Sequence, residues 1–190
     1  MIRIATATIK GFSPYSPSRQ HDEPVLSGEK KDAYEARTWR HKAHTDKDGF
    51  VIIPFMSFKK ALDAAASFTP RKIKGNGNQT YSKQMKSGVL LTEPLVLKVK
   101  AADARSETFS CSITGDSRGV GGRVNRTFPM IDDWGGKLEF TITNPTIQKD
   151  IFETYLEEAG QFIGIGRFRP ENGGVNGRWR VEKITWKEVA

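Results

Sequence analysis

Cysteine is almost missing from this chain. Cys111 stands alone among 190 residues, which excludes an internal disulfide framework and fits a reducing, cytoplasmic setting. Only three histidines accompany it, and no Asp/Glu cluster has metal-ligand spacing, so no metal or other cofactor is expected. Long hydrophobic runs are absent as well. The longest, Val51-Ile52-Ile53-Pro54-Phe55-Met56, falls far short of the roughly 20 residues that cross a bilayer. The opening MIRIATATIK places Arg3 and Lys10 among short apolar residues and shows no secretory h-region. Acid is scarce: 22 Asp and Glu face 30 Lys and Arg, a net charge of +8 that favours anionic partners. There is no G-x-x-x-x-G-K-[ST], no G-x-S-x-G and no H-E-x-x-H. The glycine runs that begin at Gly119 and Gly164 reach Val124 and Arg169 where a dinucleotide turn needs its third glycine.

What is present is clustered positive charge. Thr69 to Thr92 holds Arg71, Lys72, Lys74, Lys83 and Lys86 with no acid, around the turn-forming Gly75-Asn76-Gly77-Asn78. A second basic glycine loop, RGVGGRVNR, runs from Arg118 and contains Arg123 and Arg126. A third, GIGRFRPENGGVNGRWR, carries Arg167, Arg169, Arg178 and Arg180. Glycines in such loops let a backbone come close to a ligand. Phe128, Trp134, Phe168 and Trp179 lie in or beside them, and aromatic rings of this kind stack on unpaired bases for roughly 1–3 kcal/mol each. Trp179 and Trp186 also fit the core of a final strand, and Trp39 sits in a polar segment where either reading stands.

Between the loops the hydrophobic period changes in an orderly way. Ile2, Ile4, Ala7 and Ile9 suit a strand, as does Phe50 to Ile53 after the Asp48-Gly49 turn. Pro54 then opens a helix whose apolar face is Phe55, Phe58, Leu62, Ala65 and Ala66. Val89 to Val99 and Glu107 to Ile113 read as a strand and its hairpin partner, and Lys137 to Thr143 as a further strand. Asn144-Pro145 opens the best helix, with Ile147, Ile151, Phe152, Tyr155, Leu156 and Ala159 on one stripe. Trp179, Val181, Ile184 and Trp186 close the chain as a strand.

The order is strand, insertion, helix, strand, strand, helix, strand. It predicts an α+β fold: a ferredoxin-like (RRM-like) antiparallel sheet, two helices on one face, in a single domain over residues 1–190. Residues 13–47 form a long polar insertion after the first strand, partly mobile, and the uncovered sheet face is the expected binding platform. Within the insertion, His41 and His44 stand near Tyr34, Arg37 and Arg40. Such a set permits metal-independent cleavage of RNA, with histidine deprotonating a 2′-hydroxyl, and equally permits phosphate contact without chemistry.

Two stretches resemble a known family. Val51-Ile52-Ile53-Pro54-Phe55-Met56-Ser57-Phe58-Lys59-Lys60-Ala61-Leu62 resembles the strand-to-helix segment of the repeat-associated (RAMP) superfamily of CRISPR proteins. GIGRFRPENGGVNGRWRV resembles its C-terminal glycine loop and final strand, and the long insertion after the first strand fits as well. The family's glycine after the proline is Phe55 here. The resemblance implies a ferredoxin-like core that grips RNA through its first helix (Ser57, Lys59, Lys60) and through Gly164, Gly166, Gly173, Gly174 and Gly177. It is also similar to uncharacterised phage and prophage proteins.

The function expected is non-enzymatic binding of single-stranded nucleic acid, RNA over DNA, by a phage-borne relative. The site residues are Lys59, Lys60, Arg71, Lys72, Lys74, Lys83, Lys86, Arg118, Arg123, Arg126, Gly164, Gly166, Arg167, Arg169, Gly173, Gly174, Arg178 and Trp179. One alternative is an anti-CRISPR protein that mimics a backbone subunit or sequesters guide RNA, with CRISPR effector subunits as partners. Another is an RNA endonuclease using His41 and His44. Head-to-tail self-association along a strand is compatible with the resemblance; a membrane partner is not expected.

Overall fold

The structure, a computed structural model, describes residues 2–112 and 122–189. β1 (Ile2–Gly11) opens the chain. The polar excursion then forms α1 (Lys31–Thr38) and a 3-10 turn (Trp39–Lys42), followed by β2 (His44–Thr45), β3 (Phe50–Ile53) and α2 (Phe55–Phe68). α3 (Ser82–Gly88) leads into β4 (Val89–Leu90) and β5 (Leu95–Lys100). β6 (Arg105–Ser112), β7 (Arg123–Met130) and β8 (Gly135–Ile142) precede α4 (Lys149–Glu158), which continues as a π-helical turn (Ala159–Ile163). A 3-10 turn (Pro170–Asn172) interrupts the last loop before β9 (Trp179–Val189). The main sheet is antiparallel in the order β4-β8-β1-β9; β2, β3 and β5 form a second sheet, and β6 pairs with β7.

The core is organised by small side chains on the central strand. β1 turns Ala5, Ala7 and Ile9 toward the helices. Ala5 lies between Phe140 of β8 and Trp186 of β9, and Ala7 between Leu138 and Ile184. The space above Ala5 is filled from α4: the Phe152 ring lies 5.2 Å from Phe140 and 5.6 Å from Trp186, edge-on to both. α2 packs on the same face, with Phe58 edge-on to Trp179 at 5.7 Å. Arg3 continues the row, but its guanidinium reaches the turn before α4 and donates to the carbonyls of Ile147 (2.6 Å) and Asn144 (3.2 Å). That satisfies a charge that burial alone would make costly.

Several expected elements take a different form. Val89–Val99 is two strands in two sheets, because Pro94 and the residues before it break the run; β4 joins the main sheet and β5 pairs with β3. The partner of β6 is β7, so Arg123 and Arg126 stand on a strand rather than in a glycine loop. Residues 118–121 of that loop, Arg118 included, lie outside the described residues. The second long helix starts at Lys149, not at Pro145, since Asn144 Oδ1 accepts the Thr146 N–H and closes an Asx turn first. Of the expected stripe, Ile147 (before the helix), Phe152, Tyr155, Leu156 and Ala159 are fully buried, and Ile151 is partly buried against them.

The two segments read as loops are folded. In the Thr69–Thr92 stretch Tyr81 and Met85 are buried and α3 carries Lys83 and Lys86 outward. The polar excursion is pinned by Trp39, which is buried, and by Lys42. Lys42 Nζ lies 2.5 Å from Glu35 and donates to the Thr127 carbonyl at 2.7 Å, while Glu35 also accepts the Thr127 N–H. The second half of the excursion is thereby fastened to β7.

Two measurements check this packing. Ala5→Leu forces a larger side chain between Phe140, Trp186 and Phe152, and urea denaturation is expected to show a loss of about 1–3 kcal/mol. The second concerns Arg71, whose guanidinium holds the Glu158 carboxylate through both nitrogens, one contact at 2.8 Å. Those hydrogen bonds hold the Glu158 carboxyl below its ordinary value, against the opposing effect of burial. The folded protein therefore binds that proton less readily than the unfolded chain. The pair's stabilisation is complete above the ordinary carboxylate range and is lost as pH falls through the depressed folded value. Glu158→Gln should flatten the fall in urea midpoint on acidification; an unchanged acid limb would remove this pair from the account.

Candidate nucleic-acid interface

After the π-helical turn that ends α4, the chain does not run straight into β9 but folds a loop back on the segment following β1. The Ile165 N–H donates to the Gly177 carbonyl (3.0 Å), and the Gly177 N–H to that of Pro14 (2.7 Å). The Arg167 N–H donates to the Ser16 carbonyl (2.7 Å). Glycine is required where this loop crosses itself. A Cβ on Gly177, at φ +71°, would meet the Ile165 oxygen at 1.8 Å, and one on Gly174 would meet the Phe168 oxygen at 1.8 Å. These glycines admit the chain's own backbone, not a ligand's.

The loop forms one wall of a groove, and α2 forms the other. Phe58 and Leu62 turn inward, which leaves Ser57 and Lys60 on the first turns facing the loop. Between them lies a cavity of about 420 Å³, with Ala61, Ala64 and Ile163 as apolar lining and Gly164, Gly166 and Arg169 opposite. Arg169 donates to Glu171 at 2.8 Å, which orients it and offsets part of its charge. Ser18 also borders a second cavity of about 310 Å³, where Arg19, Arg126 and Arg167 converge beside the Lys42–Glu35 pair. Ser18 is the residue that lines both cavities, so the two are neighbours on the surface.

The second cavity rests on aromatic rings. The Arg167 guanidinium lies 4.3 Å from the Phe128 ring centroid and 5.1 Å from that of Phe168, and Lys42 Nζ lies 4.4 Å from Phe128. Phe168 adopts φ +57°, the one non-glycine residue in the left-handed region among the described residues. Such a backbone costs on the order of 1–3 kcal/mol and persists only when packing over-determines it. Here Phe109, at 4.5 Å, and Phe128, edge-on at 5.9 Å, hold the ring in place. Arg167 is aimed as a consequence, and its buried Nε has no hydrogen-bond partner among the described residues.

The expected site residues divide into those the fold brings together and those it uses elsewhere. Lys60, Gly164, Gly166 and Arg169 line the first cavity, and Arg126 and Arg167 the second. Lys59 is only 8% exposed; it pairs with Asp63 and donates to the Met85 carbonyl, so it binds α2 to α3 and is not available to a ligand. Trp179 is 0% exposed, packed against Phe58 and Trp134, and is a core residue rather than a stacking platform. Phe128 and Trp134 are buried as well. Arg71 is committed to Glu158 and lies 4.8 Å from the Tyr155 ring. Arg123 donates across the strand pair to Ser110.

Lys72, Lys74, Lys83 and Lys86 are exposed, and Lys83 lines a different cavity with Asn76 and Asn78 that shares no residue with the groove. Gly173 is the left-handed residue closing the Pro170–Asn172 turn. The Arg178 N–H is held by Ser13, at the root of β9. Sequence reasoning missed Ser18, Arg19 and Lys42, which belong to a polar excursion without periodicity and so carried no signal of where they would be placed.

The two histidines offered as an endonuclease pair have different neighbours. His41 Nδ1 is 3.0 Å from Glu23, with its ring 5.7 Å from that of His21. His44 stands in β2 opposite Ile52, where burial, with Arg19 nearby, lowers its pKa. Of the other residues around them, Arg37 binds Glu29 through two hydrogen bonds, which lowers the Glu29 carboxyl to about 2, and Arg40 stacks 4.1 Å from the Trp39 ring. The open face of the main sheet presents Ile4, Thr6 and Thr8 between Lys137, Glu139 and Thr141 on one side and Lys183, Thr185 and Lys187 on the other. It offers no aromatic ring to a base.

No protein-family model matches the sequence, and no curated protein matches it either. Solved structures do match. A chain in the cryo-EM structure of the type III-B Cmr-beta bound to cognate target RNA superimposes with a TM-score of 0.52 at 11% identity. The alignment covers 100% of this chain and 62% of that one, so this chain spans less than two thirds of that neighbour. A chain of a CRISPR RNA-guided surveillance complex matches with a TM-score of 0.41 at 9% identity, over 100% of this chain and 72% of that chain. The likeness to the first of these is one of fold.

The crossing of the loop supplies a test of the site's architecture. Gly177→Ala brings both a Cβ clash and a disfavoured φ, and should lower the unfolding free energy by at least about 1–3 kcal/mol in urea titration. Gly173→Ala, at an exposed turn with nothing within 4 Å of the new Cβ, should cost clearly less. Equal losses would show that the crossing is not what holds the loop.

Proposed function

We propose that this protein binds single-stranded nucleic acid, RNA in preference to DNA, in the groove between α2 and the Gly164–Glu171 loop, and performs no chemistry on it. The observation that carries this reading is convergence. Lys60 and Arg169 on one cavity and Arg19, Arg126 and Arg167 on the next approach the same groove from four separate parts of the chain. Cations gathered around a concave, partly apolar surface raise the local concentration of a polyanion and neutralise its phosphates. Arginine adds a planar fork suited to bidentate phosphate contact. The apolar lining of Ala61, Ala64 and Ile163 suits the sugar and base of an unpaired strand better than a duplex backbone.

The fold supports the same reading. β1, α2, β4, β8, α4 and β9 follow the strand-helix-strand-strand-helix-strand order, and with the sheet order β4-β8-β1-β9 this supports reading them as a ferredoxin-like core. The second sheet and the β6–β7 pair are then insertions into it. The preference for RNA follows from the likeness to a neighbour whose structure holds target RNA. His41 and His44, in different surroundings, act in this reading as neither base nor acid.

Fluorescence anisotropy with labelled single strands of about 30 nucleotides, several site lengths long, tests it. Binding is expected to weaken steeply with salt, RNA more tightly held than DNA, and the strand to survive incubation in chelator. Lys60→Ala and Arg169→Ala should each lower the slope of log affinity against log salt by about 1. Arg123→Ala, tied to Ser110, should leave it unchanged. Absence of binding to either strand, together with a stable complex with CRISPR effector subunits, would replace this reading with one of subunit mimicry.

A further inference from the structure

Two large aromatic side chains stand exposed where α2 ends and the π-helical turn after α4 passes it. Phe68 is 67% exposed and Phe162 is 48% exposed, and their ring centroids lie 6.3 Å apart at an interplanar angle of 37°. Neither is a stray surface residue. Phe68 is the last residue of α2, one helical turn beyond Ala64 on the stripe that begins with Ser57 and Lys60. Phe162 immediately precedes Ile163, which lines the same cavity. Neither ring lines the cavity itself; each stands next along its helix to residues that do, Ala64 and Ile163, so the pair flanks the apolar lining.

The pair is held rigidly from behind. The Tyr155 hydroxyl donates to the carbonyl of Thr69, next to Phe68, and accepts the Arg71 N–H at 3.1 Å, while Arg71 grips Glu158. These bonds tie the end of α2 to the end of α4. The π-helical turn that follows departs from α-helical spacing and carries Phe162. Rings so close and so inclined touch each other, leaving no slot between them for a third ring. The outer face of Phe68 is what remains open, with Phe162 as its buttress.

We infer that the outer face of Phe68, supported by Phe162, is a stacking platform for an unpaired base of the strand bound in the groove. This rests on the reading of the groove as a single-strand site and names what that site recognises beyond phosphate. Eight residues separate Lys60 from Phe68, about 12 Å along the helix at its ordinary rise. A strand with a phosphate at Lys60 thus reaches the platform with a neighbouring nucleotide. Every base has a π-face, so the platform confers preference for unpaired over paired strands without reading sequence.

The test compares an unstructured RNA oligonucleotide with an abasic sugar-phosphate strand of equal length, using the full chain. The wild type should favour the base-bearing strand. Phe68→Ala, at an exposed helix end, should weaken binding of that strand roughly 5- to 150-fold, the span that loss of a base–aromatic stack gives. It should leave abasic binding and the salt slope unchanged, and Phe68→Trp should restore the preference. If the wild type binds both strands equally, or Phe68→Ala binds the base-bearing strand as tightly as the wild type, the platform is overturned and the groove stands. If the wild type binds neither strand, both fall. If Phe68→Ala instead abolishes self-association seen by sedimentation with strand affinity unchanged, the ring pair is a contact between copies and the inference is overturned.

Discussion

The groove depends on one short strap, the residues from Gly11 to Ser16. Here the chain leaves the central strand and is hydrogen-bonded on both sides at once. The Gly11 N–H donates to the Trp134 carbonyl (2.8 Å) and the Trp134 indole N–H to the Ser13 carbonyl (2.8 Å), while Tyr15 and Ile131 exchange backbone bonds in both directions. On the other side the Phe12 N–H binds the Arg178 carbonyl, and Pro14 and Ser16 accept from Gly177 and Arg167. A backbone group left unpaired in such a place would cost about 1–3 kcal/mol, so the set is cooperative in the sense that no member can be withdrawn cheaply. Gly11 is glycine because the Trp134 ring occupies the place of its side chain, 2.3 Å from where a Cβ would be. Burial pushes the Tyr15 phenol up, which keeps it protonated in the strap. Through these contacts the C-terminal loop and the end of β7 take positions fixed relative to the sheet, and with them the loop wall of the groove and the Phe128 side of the second cavity.

The net charge of +8 is a poor guide to where a polyanion would sit. Much of the positive charge is already engaged: Lys59 by Asp63, Arg71 by Glu158, Lys42 by Glu35, Arg105 by Asp132. A cation held in an intramolecular pair gives up part of its attraction for phosphate, and where it is buried it cannot be approached at all. What distinguishes the groove is that its cations come from separate parts of the chain and face a common concavity. A low-dielectric wall of aromatic rings beneath Arg167 strengthens that local field. The basic surface around Lys72, Lys74, Lys83 and Lys86 carries four exposed lysines but lies on an exposed turn and a short helix, where screening is greatest.

The elements legible in the sequence were those whose burial repeats at a fixed period. α2 and α4 show their apolar stripes, and β1, β8 and β9 alternate, because each presents one face to a single core. α1 and α3 could not be read this way: they are short and polar on most sides, and they exist because Trp39, Tyr81 and Met85 each anchor a few residues to that core. β7 was hidden by composition, since Arg123, Asn125 and Arg126 read as loop while their backbone pairs with β6. The site was half legible for the same reason. Lys60 and Arg169 follow from helix and loop placement, whereas Lys59, one residue away from Lys60, points into the protein and Trp179 lies in the core. Neighbourhood in sequence says that a ring or a charge is near a loop; only the direction of the Cβ says which side of the chain it serves.

That distinction underlies the proposal that a strand binds in the groove and not on the open sheet face. The sheet face presents threonines and lysines spaced along strands, with the acid Glu139 interleaved among them. A strand lying there would find charge of both signs and no ring to stack on. The groove offers what a flexible single strand needs to offset the entropy of being ordered: cations, an apolar lining, and rigid walls that need not themselves be ordered on binding. α2 is a fourteen-residue helix fixed by its buried face, and the loop opposite is locked by glycine crossings and by the strained Phe168. Strain at Phe168 is tolerable only because three phenylalanines pack together beneath Arg167, and that packing aims the guanidinium at the cavity. The energy stored in one backbone dihedral is thus set against a fixed orientation of the side chain best suited to grip a phosphate.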